Sequence, residues 1–156
     1  MSPQERVEIG ELSFSERAAW HRLRASLWPE IPKDELDPEE DLILGDPRRN
    51  AVFVARLHGS GGELVGFVEA ALRDWAEGCR TRPVGYIEGW YVAPEHRRRG
   101  VGRRLVEAAE QWARSRGCTE MGSDAEIANT LSHRAHAALG YEEVERVVSF
   151  AKRLVP

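Results

Sequence analysis

Residues 84–117 read VGYIEGWYVAPEHRRRGVGRRLVEAAEQWARSRG. The stretch predicts a strand, a tight basic loop and a helix. Val84 to Val92 is rich in aromatic and β-branched residues, as strands are. Ala93-Pro94-Glu95-His96 ends it, because proline cannot continue a central ladder. From about Val101 to Arg116, the residues Val101, Leu105, Ala108, Ala109 and Trp112 fall on one apolar helical face, and Gly117 is placed to cap the helix. Between strand and helix lies Arg97-Arg98-Arg99-Gly100-Val101-Gly102. Glycines at 100 and 102 let the backbone turn tightly and approach a ligand. The first amides of a helix have no internal partner and, with the helix dipole, favour phosphate. Arginines at 97, 98, 99, 103 and 104 add positive charge.

The spacing is neither GxxxxGK[ST] nor GxGxxG, so a nucleoside-triphosphate loop and a dinucleotide fold are both disfavoured. A solvated arginine run capping a helix is the plain alternative, and the strand before and amphipathic helix after weigh against it. Net charge of −4, with no other basic cluster, argues against a nucleic-acid patch.

The chain has 156 residues, enough for one domain with a real core, and its 42% hydrophobic and 31% charged residues suit a globular protein. No run of apolar residues is long enough to span a membrane, and MSPQERVEIGEL has no apolar signal core, so the expected location is cytoplasmic. Cys79 and Cys118 form neither a disulfide framework nor a metal-binding spacing, and no metal is expected.

Working outward, Arg6 to Leu12 suits a first strand. Ser13-Phe14-Ser15-Glu16 is a capping-box pattern opening a helix to about Leu27. Trp28 precedes Pro29 and is pushed out of helical geometry, serving either core packing or a flat wall for a ring-shaped ligand. Glu30 to Asp46 holds acids at 30, 34, 35, 37, 39, 40, 41 and 46, either a solvated face or a rim that attracts a polycation. Within it Asp37 is the expected cap of a second helix, with Pro38 at its first position and Leu42, Ile43 and Leu44 as anchors. Ala51 to Leu57 and Glu63 to Leu72 form a hairpin, and the strand from Val84 completes a meander. Cys118 to Asp124 is a short strand parallel to 84–92, because a helix joins the two. Asn129 caps a helix over Thr130 to Leu139, and Tyr141 to Leu154 alternates as one or two final strands would. The expected fold is one mixed α/β domain over 1–156, with about six to seven strands and about four helices.

Arg97-x-x-Gly100-x-Gly102, after a strand and opening a helix, resembles the coenzyme A pyrophosphate loop of the GNAT superfamily of acetyltransferases. The element order resembles the GNAT fold over almost the whole chain. Leu27-Trp28-Pro29, Ile87-Glu88-Gly89, Cys118-x-Glu120-Met121-x-Ser123-Asp124, Asn129-Thr130-x-Ser132 and Leu139-Gly140-Tyr141-Glu142-Glu143-x-Glu145-Arg146-Val147 resemble the aminoglycoside 6'-N-acetyltransferases. That resemblance implies an acetyl-CoA co-substrate. Trp90, Tyr91 and Val92 would offer backbone groups to the pantetheine, Arg97, Arg98, Arg99, Gly100, Val101, Gly102 and Arg103 would bind the pyrophosphate, and Asn129 would contact the pantetheine. Trp28, Trp75, Glu88, Asp124 and Glu145 would face the acceptor, with Trp75 where the family usually has tyrosine. Such enzymes are often homodimers, and Val144, Val147, Val148 and Phe150 offer an apolar interface.

The chemistry needs these residue types. An acceptor ammonium cannot attack a thioester until it loses a proton, and a carboxylate can stabilise the cation and take that proton. Alternation places Glu88, Trp90 and Val92 on one face of their strand, and Asp124 ends the neighbouring one. Asp124 is the preferred base and Glu88 the second. Many GNAT enzymes carry a proton-donating tyrosine where this chain has His136, which either takes that role or is structural. Phe150 stands where relatives often have tyrosine. Cys118 could be an acyl-carrying nucleophile, but its apolar strand-start context favours a buried thiol. The leading expectation is 6'-acetylation of an aminoglycoside, a polycationic small molecule. Acetylation of a polyamine, lysine or protein N-terminus, and coenzyme A binding without turnover, are the alternatives.

Overall fold

The computed structural model describes residues 6–156. The chain forms two compact units, one ending at Asp124 and the other Ala125–Pro156. The first carries one five-stranded sheet in the order β1 (Val7–Glu11), β2 (Asn50–Leu57), β3 (Leu64–Arg73), β4 (Val84–Val92), β5 (Met121–Ser123). Its first three pairings are antiparallel and the last, β4 with β5, is parallel. The helix between β4 and β5 is α3 (Val101–Ser115), as the spacing requires.

α1 (Arg17–Leu27) follows a short turn in which Glu16 accepts a hydrogen bond from the Ser13 amide at 2.8 Å. With α2 (Lys33–Gly45) it covers one face of the sheet, where Trp20, Val52, Val54, Leu64 and Phe67 form a closed cluster. α3 covers the other face with Leu105, Val106, Ala109, Trp112 and Ala113, all buried. It ends on Gly117 at φ +88°, and the Cys118 amide reaches back to the Ala113 carbonyl at 3.0 Å, closing the last turn.

Three sequence expectations are corrected. α2 begins at Lys33, a turn before the expected Asp37 cap, and carries Pro38 inside it. Its anchors are Leu36, Glu40 and Ile43, one helical stripe of which Leu36 and Glu40 are buried, while Leu42 and Leu44 are exposed. Tertiary burial of Leu36 starts the helix ahead of the local Asp37-Pro38 start signal. The sheet has five strands, because residues 141–156 form no strand; Phe150 is 92% exposed. Alternation names the face a strand would show, but a ladder also needs a partner edge.

The third correction concerns β4. Glu69 of β3 pairs with Gly89 and the next residue, Ala70, with Ile87, so Glu88 is an extra residue in a β-bulge. The bulge changes the phase of alternation. A Cβ at Gly102 of α3 would meet the Trp90 indole at 3.1 Å, so Trp90 lies on the α3 face. Glu88 instead shares Arg73 with Tyr86, on the opposite face. Glu88 and Trp90 are therefore separated by the sheet rather than aligned.

The second unit contains α4 (Thr130–Ala138), capped by Asn129, whose side-chain oxygen accepts from the Ser132 amide at 3.1 Å.

Candidate active site

The turn between β4 and α3 is built from backbone. Gly100 is the residue before the helix and sits at φ +79°, ψ +4°, a left-handed conformation that side chains resist. Arg98 also lies at positive φ, +61°. The first intrahelical bond runs from the Arg104 amide to the Gly100 carbonyl, so the amides of Val101, Gly102 and Arg103 stand ahead of the ladder at the positive end of the helix. Arg97 is turned back, its Nε donating to the Val92 carbonyl at 2.7 Å and its guanidinium lying 5.5 Å from the Tyr91 ring centroid. Gly102 also leaves room for the Trp90 indole, which an added Cβ would meet at 3.1 Å. This turn fits a diphosphate through fixed amides in an arginine-rich surface.

The carboxylates come from side-chain pairing. β5 is registered with β4 only up to Ile87–Ser123, so residues 88–92 run past its end and Asp124 follows directly. Arg73, the last residue of β3, holds Glu88 in a two-pronged ion pair at 2.8 and 2.7 Å. The same guanidinium lies 3.5 Å from the centroid of Tyr86, whose hydroxyl donates to Asp124 Oδ2 at 2.8 Å. Burial, reinforced by that bond to Asp124, pushes the Tyr86 phenol up, so it stays a neutral donor. Glu88 and Asp124 are thus joined through Arg73 and Tyr86 at the mouth between β4 and β5. Neither Arg73 nor Tyr86 was singled out in the sequence. Tyr86 is two residues from Glu88 on one strand, a signal that period-two alternation could have supplied.

Trp28 ends α1 and packs on the Phe67 cluster, 6.5 Å between ring centroids. Its ring edge reaches β4: a Cβ on Gly89 would meet Trp28 Cη2 at 2.8 Å. Trp28 is thus partly core, and its ring edge lies against Gly89, the residue after Glu88. Trp75 is 60% exposed in the loop after β3. That loop is tied to the start of β5 by Glu120, which accepts from the amides of Arg80 and Thr81 at 2.8 and 2.7 Å.

Asn129, His136 and Glu145 belong to the second unit. Asn129 spends its oxygen on the α4 cap. His136 Nδ1 donates to the Ser132 carbonyl at 2.7 Å, and its ring meets Tyr141 edge-on at 5.8 Å. Glu145 is exposed. Cys118 is buried and burial pushes its thiol up, which suits a structural thiol rather than a nucleophile. Among the described residues, His21, Asp37 and Glu40 bring ligand-type atoms within 4.8 Å of one another, but Arg17 and Arg24 face the same Glu40 carboxylate at 3.4 and 3.7 Å and already supply its cations.

A turn of fixed amides after β4, beside a parallel partner that ends at Ser123 while β4 runs on, is the arrangement expected of an acetyl-CoA-dependent acetyltransferase. Residues 18–141 match the acetyltransferase (GNAT) family model, and the chain belongs to that family. It is 45% identical over 151 residues to the aminoglycoside N(6')-acetyltransferase type 1 of Stenotrophomonas maltophilia, covering 95% of this chain and 94% of the relative. It is 42% identical to the enzyme of that name from Klebsiella aerogenes, covering 94% and 96%. Among solved structures it resembles aminoglycoside N-acetyltransferase AAC(6')-Iy in complex with CoA, with a TM-score of 0.89, 35% identity, and 98% and 99% of the two chains covered. The same enzyme with the bisubstrate analogue CoA-S-monomethyl-acetylneamine gives a TM-score of 0.85 at 36% identity, covering 95% and 99%. No helix among the described residues is long and apolar enough to cross a membrane.

Proposed function

We propose that this protein transfers an acetyl group from acetyl-CoA to the 6'-amino group of an aminoglycoside, by direct attack in a ternary complex, and so confers resistance to the drug. The observation that carries this reading is the linked pair Glu88 and Asp124 at the mouth between β4 and β5, with Glu88 on the strand that leads into the amide turn. A coenzyme-binding module without turnover has no use for two carboxylates there. The relatives' names and the complexes of AAC(6')-Iy support the acceptor class.

Acetyl-CoA supplies the acyl carbon and a thiolate leaving group. Gly100 to Arg103, with Arg97, Arg98 and Arg99, hold its diphosphate, and the backbone of Trp90, Tyr91 and Val92, with Asn129, lines its pantetheine. Glu88 and Glu145 receive ammonium groups of the acceptor, and Trp28 and Trp75 flank its rings. Asp124 takes the proton of the attacking amine, directly or through water, while Tyr86 fixes its other oxygen. Backbone amides near Val92 hold the charge that develops on the carbonyl oxygen. The departing thiolate takes its proton from His136: with Nδ1–H donating to the Ser132 carbonyl, only Nε2–H of the imidazolium form can give it, and the ring regains that proton from water. No step calls for a metal ion. The whole chain, 1–156, acts as one catalytic domain, which the family match over 18–141 supports, and it works in the cytoplasm. Val144, Val147, Val148 and Phe150, all exposed in the single chain, form the interface of a homodimer, and light scattering on a sized column reads that directly.

The test is release of free coenzyme A thiol across an acceptor panel. Kanamycin- and tobramycin-type acceptors should release it fastest. Faster release with polyamines, lysine or a peptide N-terminus would move the assignment to those amines.

A further inference from the structure

Beneath Trp28 lies an ion pair that the proposed chemistry does not use. Arg24 and Glu69 are 0% and 3% exposed. Arg24 Nε donates to Glu69 Oε1 at 2.6 Å and its Nη2 to Oε2 at 3.4 Å, while Trp20 Nε1 donates to Oε1 at 3.1 Å. The guanidinium also stands over two indoles, 5.3 Å from the centroid of Trp20 and 5.0 Å from that of Trp28. Burial pushes the Glu69 carboxyl up to about 7 against the pull of Arg24, a sign of how dry the site is. Well-packed apolar residues often serve stability as well as such a pair does, so its presence points to something it orders.

That something is in contact with it. Trp28 fits against the bare backbone of Gly89, where an added Cβ would lie 2.8 Å from the indole and 3.4 Å from Glu69 Oε2. Gly89 is the neighbour of Glu88 in the bulge and the registered partner of Glu69. The buried pair supports the indole, and the indole packs on the residue next to Glu88.

We propose that Arg24 and Glu69 are positioning residues for the acceptor: Glu69 aims the Arg24 guanidinium across the Trp28 indole and so fixes the wall on which the acceptor ring lies beside Glu88. This rests on the assignment of Trp28 to the acceptor site. Ion pair and cation–π contact act together: Glu69 holds Nε, Glu39 at 3.0 Å and the Leu36 carbonyl at 3.4 Å hold Nη2 and Nη1, and the fork so fixed sets the ring.

The test compares the full chain with Arg24→Met/Glu69→Met, which keeps the volume and removes both charges, and with Arg24→Lys, which keeps the charge but not the planar fork. The double variant should raise acceptor KM about tenfold, with kcat and coenzyme KM within about twofold. Arg24→Lys should raise acceptor KM severalfold, and it keeps the proposal open to refutation if the double variant does not fold. Acrylamide quenching should rise in both variants, and the rise should vanish when Trp28→Phe is added, a signature that loss of general stability would not give. Trp28→Ala measured alongside separates the two assignments. If Trp28→Ala raises acceptor KM and the Arg24 and Glu69 variants bind acceptor as the parent does, the positioning role is overturned. If Trp28→Ala itself leaves acceptor KM unchanged, the acceptor assignment of Trp28 fails and this inference with it.

Discussion

At one end of β4 the turn from Arg97 to Arg103 presents backbone amides, set by the left-handed Gly100 and the start of α3. Four residues before Val92, Glu88 presents a side chain whose place depends on a bulge, on Arg73 and, through Tyr86, on Asp124. The first site needs only local dihedral angles and a helix end. The second needs three strands in correct register and a loop tied down by Glu120. A backbone site therefore survives most surface substitutions, whereas a side-chain site changes with each partner. That contrast explains how one fold can keep its acyl donor while its acceptor side varies.

The largest expected effect lies on the acceptor side. Asp124→Asn keeps the shape and the bond from Tyr86 but removes the proposed base, and kcat should fall about a hundredfold or more. Coenzyme affinity by calorimetry should not move; a parallel loss would mean that the two sites are not separable. Gly100→Ala probes the other side. A Cβ at φ +79° meets no neighbour, so the cost is conformational, about 1–2 kcal/mol. Coenzyme affinity should drop by up to about tenfold with acceptor KM unchanged. Arg73→Gln is milder. Its pair with Glu88 is partly exposed, and such pairs are worth about 1 kcal/mol or less. Freeing Glu88 for the drug should lower acceptor KM by less than about fivefold, and a rise would show Arg73 to be a support rather than a competitor.

The smallest effect concerns the seat of α1, which carries Trp28. Glu16 is hydrogen-bonded to Arg56, and that pairing, with the Ser13 amide, holds its carboxyl down at about 2 from an ordinary 4.5. A depressed folded-state value means stability present above pH 4.5 and lost as pH falls toward 2. Urea midpoints between pH 5 and 2.5 should fall less steeply for Glu16→Gln than for the parent. Identical slopes would remove Glu16 from the acid sensitivity of this face.

The same contrast governs what could be read from the chain. β4 spans Val84–Val92 and α3 begins at Val101, where the residues placed them, because aromatic and β-branched content, a proline stop and a 3.6-residue stripe are local signals. The bulge at Glu88 is not local; it exists only in the pairing of β3 with β4, so alternation wrongly aligned Glu88 with Trp90. The start of α2 was hidden for a related reason, since Leu36 is drawn inward by tertiary burial ahead of the Asp37-Pro38 signal. Residues 141–156 alternate convincingly but find no partner strand. Glu88 and Asp124 were named from residue type and position, whereas Arg73, Tyr86, Arg24 and Glu69 were not, because each is marked only by a contact across elements.

The central claim is that the carboxylates at the β4–β5 mouth direct acetyl transfer to one amine. Two acceptors that differ only at the 6' position, one with an amine and one with a hydroxyl, test it most directly, with the product located by proton–nitrogen NMR. The amine should be acetylated at the 6'-nitrogen and the hydroxyl analogue left unmodified. Acetyl found on another nitrogen, or equal turnover of both acceptors, would contradict the account.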